Sequence, residues 1–203
     1  MRLFCIGQNY AAHAREMGTA PAPPDDPPVV FMKPASSLAP AGHDVPWPSQ
    51  AGSLHFETEL VVGIGRAGQP ATDEAAIGFI DGFTLGFDLT LRDVQARLKA
   101  AGHPWERAKA FDHSALCGSL VRVPLQRFTF TGAVAGTIRQ QGDTADLLYS
   151  IPRLIVELGR VWRLLPGDLI FTGTPQGVGP LAPGDTLIAE SPILGRFAWR
   201  MES

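Results

Sequence analysis

The sequence predicts a mostly β protein of the α+β class, in which a mixed sheet rolls on itself and three or four helices lie at its periphery. The 22 glycines and 18 prolines make up about a fifth of the 203 residues, a composition that favours many turns between short strands over long helices. Apolar, β-branched runs such as residues 60–64 are typical of buried strands. No linker divides the chain, so we expect a single domain that spans residues 1–203.

Composition narrows the class of protein. Charged residues make up 18% and hydrophobic residues 45% of the chain, which are the proportions of a globular domain. The net charge is −3 and no run of Lys or Arg occurs, so nucleic-acid binding has no electrostatic support. Cys5 and Cys117 are too few for a disulfide framework or a thiolate metal site. Because no long apolar run or signal sequence occurs, we expect a soluble cytoplasmic protein without a membrane partner.

Local patterns predict the order of the elements. Helices are predicted at residues 9–17, 89–101 and 151–164, with a brief helical turn from Thr72. Strands are predicted at residues 2–6, 29–32, 52–64, 77–87, 128–135, 169–172 and 186–190. Thr90 is expected to cap the second helix and Gly102 to end it. The proline-rich residues 20–28 are expected to form an extended, mobile loop.

Glu57 and Glu59 are the first candidates for chemistry. They precede the apolar run 60–64, and a strand points residues i and i+2 to one face, which puts them roughly 6.6 Å apart along the strand. Asp88 ends a second apolar run, residues 79–87. Carboxylates that meet beside apolar strands repel one another unless a cation lies between them, and oxygen ligands suit Mg²⁺, Mn²⁺ or Ca²⁺. The alternative is a solvated edge strand for the glutamates and a helix cap for Asp88.

His13 and Glu16 lie three residues apart on the first predicted helix and therefore share one face. A carboxylate beside an imidazole fixes the tautomer of the ring and raises its basicity, which would make His13 a general base for water. An ordinary exposed pair on a surface helix would show the same spacing. The spacing alone therefore leaves both interpretations open.

Three further positions carry groups suited to an anionic substrate. Arg92 follows Asp88 by four residues, and its guanidinium could bind a substrate carboxylate at the same site. Lys109 lies in an apolar, aromatic segment, where it could stabilise an oxyanion. The Gly/Thr loop at residues 172–179 offers hydroxyls and backbone N–H groups to an anion. The alternatives are a solvated helix face for Arg92, a surface lysine for Lys109 and a plain hairpin loop for residues 172–179.

Lysine is scarce in this chain. Lys33, Lys99 and Lys109 stand against fourteen arginines. A chain that otherwise uses arginine can retain a lysine where a compact, localised charge is needed. Lys99 is nevertheless expected, with Arg97, on a solvated helix face.

Five motifs in register resemble the fumarylacetoacetate hydrolase family, particularly its acylpyruvate hydrolase and oxaloacetate decarboxylase branch. The resemblance extends from about Ile6 to the end of the chain. The motifs are Gly-Gln-Asn-Tyr at residues 7–10 with His13 and Glu16, Phe-Met-Lys-Pro at 31–34, Glu-Thr-Glu-Leu at 57–60, residues 88–95 followed by Lys109, and Thr-Gly-Thr-Pro at 172–175.

This resemblance implies a mixed β-roll of the family's C-terminal-domain type, a homodimer, and a bound Mg²⁺ or Mn²⁺ ion. The site residues that it implies are Glu57, Glu59 and Asp88 as metal ligands, His13, Glu16 and Lys109 as catalytic residues, and Arg92, Gln95 and Thr174 as substrate-binding residues. Residues 9–28, a lid helix and its proline-rich loop, are expected to close over the substrate. Phe56 and Gln176 depart from the residues usual in close relatives, and both are expected to affect the pocket lining.

The hypothesis that follows is metal-dependent hydrolysis of the C–C bond of a 2,4-dioxo acid, an acylpyruvate such as fumarylpyruvate, with release of pyruvate. The ion would stabilise the developing enolate while His13 activates the attacking water. Oxaloacetate decarboxylation, or keto–enol tautomerisation of a related 2-oxo acid, would use the same ion without that water. A non-catalytic protein that binds a metal or a small acid is a third alternative.

Overall fold

The structure is a computed structural model that describes residues 1–21, 23, 26–49 and 52–203. Part of the loop predicted at residues 20–28 therefore lies outside the described residues. Across the described ranges, no helix has the length and apolar character needed to span a membrane.

Short strands dominate the described residues, as the sequence predicts. The strands are β1 (Leu3–Gly7), β2 (Val29–Lys33), β3 (Leu38–Pro40), β4 (Asp44–Val45), β5 (Leu54–Phe56), β6 (Thr58–Ile64), β7 (Ile80–Asp88), β8 (Thr90–Leu91), β9 (Ala115–Cys117), β10 (Thr129–Val134), β11 (Thr137–Asp143), β12 (Leu169–Phe171), β13 (Gly179–Pro180), β14 (Thr186–Ser191) and β15 (Gly195–Met201). The α-helices are α1 (Ala11–Glu16), α2 (Asp73–Ile77), α3 (Arg92–Ala100), α4 (Glu106–Lys109) and α5 (Ile151–Val161). Short 3₁₀ helices occupy Ala35–Ser37 and Thr144–Asp146.

These strands form three sheets. The seven-stranded sheet has the order β2-β1-β12-β6-β7-β9-β3, the five-stranded sheet the order β11-β10-β14-β15-β4, and the three-stranded sheet the order β13-β5-β8. Parallel pairs such as β1 with β12 occur beside antiparallel pairs such as β6 with β7. The predicted mixed, curled sheet is therefore confirmed.

One apolar core joins the two larger sheets. Phe87 of β7 packs edge-on against Trp199 of β15, with ring centroids 5.6 Å apart. Phe83 packs against Phe128 at 4.7 Å, and all four rings are buried. The Trp199 indole N–H donates to the Ala39 carbonyl at 3.2 Å, so this polar group is satisfied within the core.

The hairpin of β10 and β11 lies directly over the first residue of β6. Gly132 pairs with Gln140 in this hairpin. A Cβ atom on Gly132 would lie only 1.9 Å from Thr58 Oγ1, so this approach requires glycine. The five-stranded sheet therefore contacts the strand that carries Glu59.

Helix α3 starts later than predicted, and the predicted cap is wrong. Thr90 and Leu91 form β8, which pairs with β5 through Leu91 and Leu54. The Thr90 hydroxyl donates to the Asp88 carbonyl at 3.3 Å and caps no helix. Tertiary strand pairing here overrides a local capping preference. Helix α5 by contrast begins as the pattern predicts, although it ends earlier, at Val161.

The strand predicted at residues 52–64 is interrupted at Glu57. β5 and β6 belong to different sheets, and Glu57 lies between them. Other strands, such as β11, were not predicted. In β11 only Gln140 and Gly142 are buried, so pairing with β10 forms this strand in the absence of an apolar pattern.

Gly86 pairs with Glu59 between β7 and β6, and its lack of a side chain is required there. An added Cβ would lie 2.3 Å from the Leu116 carbonyl oxygen in β9. We expect Gly86→Ala to lower the free energy of unfolding by roughly 1–3 kcal/mol, the usual cost of overpacking, in chemical denaturation.

The matched control is Gly78→Ala. Its added Cβ meets its nearest neighbour, the Ala75 carbonyl oxygen, at 3.4 Å, and its φ is −69°. We expect this variant to stay within about 1 kcal/mol of the wild type. Equal stabilities of the two variants would contradict the close approach of β7 and β9 at Gly86.

Candidate active site

The side chains of Glu57, Glu59 and Asp88 converge where β6 and β7 run side by side. All three are buried, and one carboxylate oxygen of each lies within 4.8 Å of the other two. The Asp88 backbone N–H donates to the Glu57 carbonyl at 2.8 Å, which brings the end of β7 to this point. One Glu59 oxygen accepts the Gly173 N–H at 2.7 Å. The three carboxylates predicted to meet therefore do lie together.

Three basic side chains surround these carboxylates. Lys109 Nζ donates to Glu57 at 2.8 Å and to Asp88 at 2.6 Å. Arg92 donates to the other Glu57 oxygen at 2.5 Å, as its spacing from Asp88 suggested. Lys33 Nζ lies 2.6 Å from Asp88 Oδ1, while its hydrogen bonds go to two backbone carbonyls. The formal charges of these six groups balance.

The basic side chains act unequally on the carboxylates. Burial raises the pKa of Glu57, but Lys109 and Arg92 outweigh it and hold that pKa below its ordinary value. Burial raises the pKa of Glu59 well above its ordinary value, and the charges of Asp88 and Glu57 raise it further. Burial lowers the pKa of Lys109, but Asp88 and Glu57 outweigh this and raise it, so Lys109 is cationic. The electrostatic cost of burial therefore concentrates at Glu59.

The donor set fits a hard divalent cation. The ligating atoms are carboxylate oxygens, which suit Mg²⁺ or Mn²⁺. Among the described residues, no donor makes a hydrogen bond of good geometry to the buried Asp88 Oδ1, although Lys33 lies beside it. A cation next to Glu59 would relieve the repulsion that raises its pKa. Glu57, Glu59 and Asp88 are therefore the residues that could hold such an ion.

His13 approaches this site from α1. It lines the same cavity as Glu57 and Asp88, and its side chain is buried. Its Nδ1 lies 3.1 Å from a Glu16 oxygen, and the other Glu16 oxygen accepts the Gly177 N–H at 2.9 Å. The interpretation of this pair as exposed surface residues is therefore wrong for His13, whereas Glu16 is exposed. With Nδ1 bound to a carboxylate, Nε2 is the basic nitrogen of the ring.

The cavity between α1 and the carboxylates is small. Its volume is about 30 Å³, against roughly 300–1,000 Å³ for common small-molecule pockets. Arg92, Gln95, Lys109 and Thr174 also line it. Arg92 Nη1 donates to Gln95 Oε1 at 2.7 Å, so the guanidinium is held between Gln95 and Glu57. This space has room for only about two water molecules, so even a small substrate requires displacement of α1 or of the lining side chains.

All three lysines of the chain lie at this site. Lys99 lines the cavity, and its Nζ lies 4.8 Å from the centroid of the Trp105 ring. The prediction of a solvated face is right for both Arg97 and Lys99, which are exposed, although Lys99 also lies at the rim of the cavity. Lys33, to which the sequence assigned no role, contacts Asp88. The scarcity of lysine in the sequence was the signal that could have identified Lys33 and Lys99 as residues of this site.

Two positions expected to affect the pocket lining lie elsewhere. Phe56 is fully buried in the core, and the Arg139 guanidinium lies 5.9 Å from the centroid of its ring. Gln176 lines separate surface depressions. Neither belongs to the described residues that line the small cavity, so that expectation is wrong.

Comparison with known proteins accords with this fold and site. The family model described as fumarylacetoacetate (FAA) hydrolase C-terminal matches residues 2–201. The chain belongs to the fumarylacetoacetate hydrolase family. The resemblance of the five motifs is thereby confirmed over nearly the whole length of the chain.

Similar members of the fumarylacetoacetate hydrolase family differ in their stated activities. Oxaloacetate tautomerase YcgM of Escherichia coli (strain K12) is 44% identical over 193 residues, which cover 92% of this chain and 86% of that protein. Mitochondrial oxaloacetate tautomerase FAHD1 of Homo sapiens is 37% identical over 191 residues, covering 92% and 85%. The structure of fumarylpyruvate hydrolase from Pseudomonas aeruginosa in complex with Mn²⁺ and pyruvate matches with a TM-score of 0.92 and 40% identity, covering 100% of this chain and 89% of that one.

Glu59→Gln tests the metal site. The substitution removes a carboxylate ligand and keeps the shape of the side chain. We expect Mn²⁺ affinity, measured by titration calorimetry, to fall more than about 100-fold, beyond the 10–100-fold loss typical of residues that only support ligands. Glu190→Gln, on the exposed side of β14, should leave the affinity unchanged. Retained affinity in Glu59→Gln would refute the assignment of Glu59 as a ligand.

The raised pKa of Glu59 makes the stability of the metal-free protein depend on pH. The native state keeps a proton on Glu59 at pH values where the unfolded chain, with its ordinary pKa near 4.5, has lost it. The contribution of Glu59 to the free energy of unfolding therefore falls as pH rises from about 4.5 through the raised pKa. Glu59→Gln has no such titration.

We expect the stability of Glu59→Gln relative to the wild type to increase with pH across this window. Denaturation of both metal-free proteins at several pH values between about 5 and 8 measures the difference. A difference that stays constant with pH would show that Glu59 has no raised pKa.

Proposed function

We propose that this protein is a divalent-metal-dependent enzyme that interconverts the keto and enol forms of a small 2-oxo dicarboxylic acid, with oxaloacetate as its substrate. The observation that carries the proposal is the position of His13, which lines the same small cavity as Glu57 and Asp88 and is bound by Glu16. The similarity to oxaloacetate tautomerases supports it.

The charges of the site match a dianionic substrate. The three carboxylates are balanced by Lys33, Lys109 and Arg92. A bound Mg²⁺ or Mn²⁺ would leave an excess of two positive charges, which the two carboxylates of oxaloacetate would neutralise. Arg92, held by Gln95, would bind one of these carboxylates in bidentate fashion.

The cation held by Glu57, Glu59 and Asp88 would supply Lewis-acid stabilisation of negative charge on the 2-oxo oxygen. His13 Nε2 would accept the proton from C3 of the keto acid and then deliver it to the 2-oxo oxygen, and the reverse reaction would follow the same two transfers backwards. Lys109 donates to Glu57 and Asp88, and its third N–H is left to stabilise charge on the substrate oxygen. The net reaction moves one proton from C3 to the 2-oxo oxygen.

The segment of residues 9–28 would act as a lid in this reaction. α1 carries His13, and the Tyr149 hydroxyl donates to the Asp26 carbonyl at 2.9 Å beyond the end of that helix. The contact between Glu16 and Gly177 must break for α1 to move. The cavity of about 30 Å³ holds neither acid as it stands, so both require displacement of α1, and a four-carbon acid requires less of it than a longer acylpyruvate. The single domain over residues 1–203 and the homodimer stay predictions.

Hydrolysis of the C–C bond of an acylpyruvate such as fumarylpyruvate is the second candidate function. The binding of His13 by Glu16 suits activation of water, and fumarylpyruvate hydrolase from Pseudomonas aeruginosa is a similar structure. This reaction must place both a water molecule and an acyl group beside His13, which requires more displacement of α1. The sequence hypothesis put hydrolysis first, and the small cavity moves tautomerisation ahead of it.

Product analysis separates the candidate reactions. Protein loaded with Mn²⁺ or Mg²⁺ would be given oxaloacetate and fumarylpyruvate in turn. Tautomerisation changes the enol absorbance of oxaloacetate without releasing pyruvate, decarboxylation releases pyruvate and CO₂, and hydrolysis releases pyruvate and fumarate. We expect the first result. Turnover of fumarylpyruvate alone would favour hydrolysis, and no turnover of either acid would favour a binding protein.

His13→Gln tests the proposed base. We expect kcat for oxaloacetate tautomerisation to fall by about 10²–10⁴-fold, the usual contribution of a general base, while Mn²⁺ affinity stays within a few-fold of the wild type. His43→Gln is the control, because His43 is exposed and its Nδ1 lies 3.3 Å from the Ala41 carbonyl. Undiminished kcat in His13→Gln would exclude His13 as the base.

A further inference from the structure

The side chain of Gln140 takes the place of a β-strand beside Thr58. β12 pairs with β6 only as far as Phe171 opposite Val61, and the chain then turns away into the loop that contains Thr174. On the other edge of β6, β7 is the partner. Thr58 directs its backbone groups to the edge that β12 has left. Its N–H donates to Gln140 Oε1 at 2.8 Å, and its carbonyl accepts from Thr174 Oγ1 at 2.9 Å.

The Gln140 amide is satisfied at both ends. Nε2 donates to the Pro175 carbonyl at 2.7 Å and to Thr174 Oγ1 at 2.8 Å. The residue is 1% exposed, so water cannot replace these bonds. Because the Thr58 N–H can only donate and the Pro175 carbonyl can only accept, a single orientation of the amide serves both.

This orientation determines the polarity of the Thr174 hydroxyl. The oxygen accepts a hydrogen bond from Gln140, and its one proton is donated to the Thr58 carbonyl. A hydroxyl carries a single proton, so Thr174 can meet a ligand in the cavity through its oxygen only as an acceptor. The hydroxyl of an enol is a suitable donor, whereas a carboxylate oxygen is not.

We propose that Gln140 is a positioning residue with two effects on the site. It holds Thr58, which lies between the two glutamates of the candidate metal site, and it presents Thr174 to the cavity as a hydrogen-bond acceptor for the enol form of the substrate. The second effect rests on the proposed function. The first does not require turnover, because metal binding alone reports it. Through Gln140 the five-stranded sheet, to which β11 belongs, orders a site built on the seven-stranded sheet.

Gln140→Met tests the first effect. Methionine has a similar length and cannot bond to Thr58 or Pro175. We expect Mn²⁺ affinity, measured by calorimetry, to fall about 10–100-fold, as for other residues that support metal ligands. Gln141→Met, an exposed neighbour on the same strand, is the matched control and should bind Mn²⁺ like the wild type. A lowered Tm with unchanged Mn²⁺ affinity would reduce Gln140 to a structural residue and overturn the proposal.

Gln140→Glu tests the second effect, and it keeps the proposal falsifiable if Gln140→Met fails to fold. The carboxylate keeps the shape and the acceptor for the Thr58 N–H, but it replaces the donor to Thr174 with an acceptor. The Thr174 proton then turns towards residue 140. We expect Mn²⁺ affinity to be retained or raised, while kcat with oxaloacetate falls at least about tenfold. Gln141→Glu controls for added charge, and unchanged kcat in Gln140→Glu would overturn the assigned polarity.

The proposed function and this inference fail in different ways. A wild-type protein that binds no Mn²⁺ and turns over neither acid would overturn both. Equal Mn²⁺ affinities of the wild type and Gln140→Met would overturn the positioning role alone. Turnover of fumarylpyruvate in place of oxaloacetate would overturn the tautomerase assignment. Weakened Mn²⁺ binding in Gln140→Met would still support the positioning of Thr58 by Gln140.

Discussion

Mutual repulsion among three buried carboxylates is the constraint to which the rest of this structure responds. Two unit charges 4.8 Å apart repel by about 3.5 kcal/mol at an effective dielectric constant of about 20. Lys109 and Arg92 compensate Glu57, and Lys33 with Lys109 compensates Asp88. The pKa of Glu59 is raised, chiefly by burial and further by the charges of Asp88 and Glu57. A divalent cation is the ligand that such an arrangement stabilises best.

The scaffold concentrates charge because its strands approach closely from several directions. Gly86 allows β7 to lie between β6 and β9, and Gly132 allows the β10–β11 hairpin to contact Thr58. Where β12 turns away from β6, the side chains of Gln140 and Thr174 satisfy the exposed strand edge. Strand β6 is thus held by backbone pairing with β7 on one side and, at Thr58, by side-chain amide and hydroxyl groups on the other.

Under the proposed function, the same charges would serve either of the two candidate reactions. Enolisation and C–C hydrolysis both need a cation beside a 2-oxo acid and a base opposite to it. They differ in whether a water molecule and an acyl group fit beside His13. The position of α1, which Glu16 ties to Gly177, sets that space. Packing around the proposed base would therefore decide between the two candidate reactions, and the carboxylates would leave that choice open.

The sequence by itself determined the mostly β fold, the family, and the meeting of Glu57 and Glu59 with Asp88, because strand alternation and local motifs encode all three. It placed Thr90 at a helix cap, and it gave no role to Gln140. Those errors have one physical cause: local propensity cannot show which distant strand or ring a residue will meet. Only the tertiary structure pairs β8 with β5, sets Lys99 beside Trp105, and brings the polar strand β11 over Thr58.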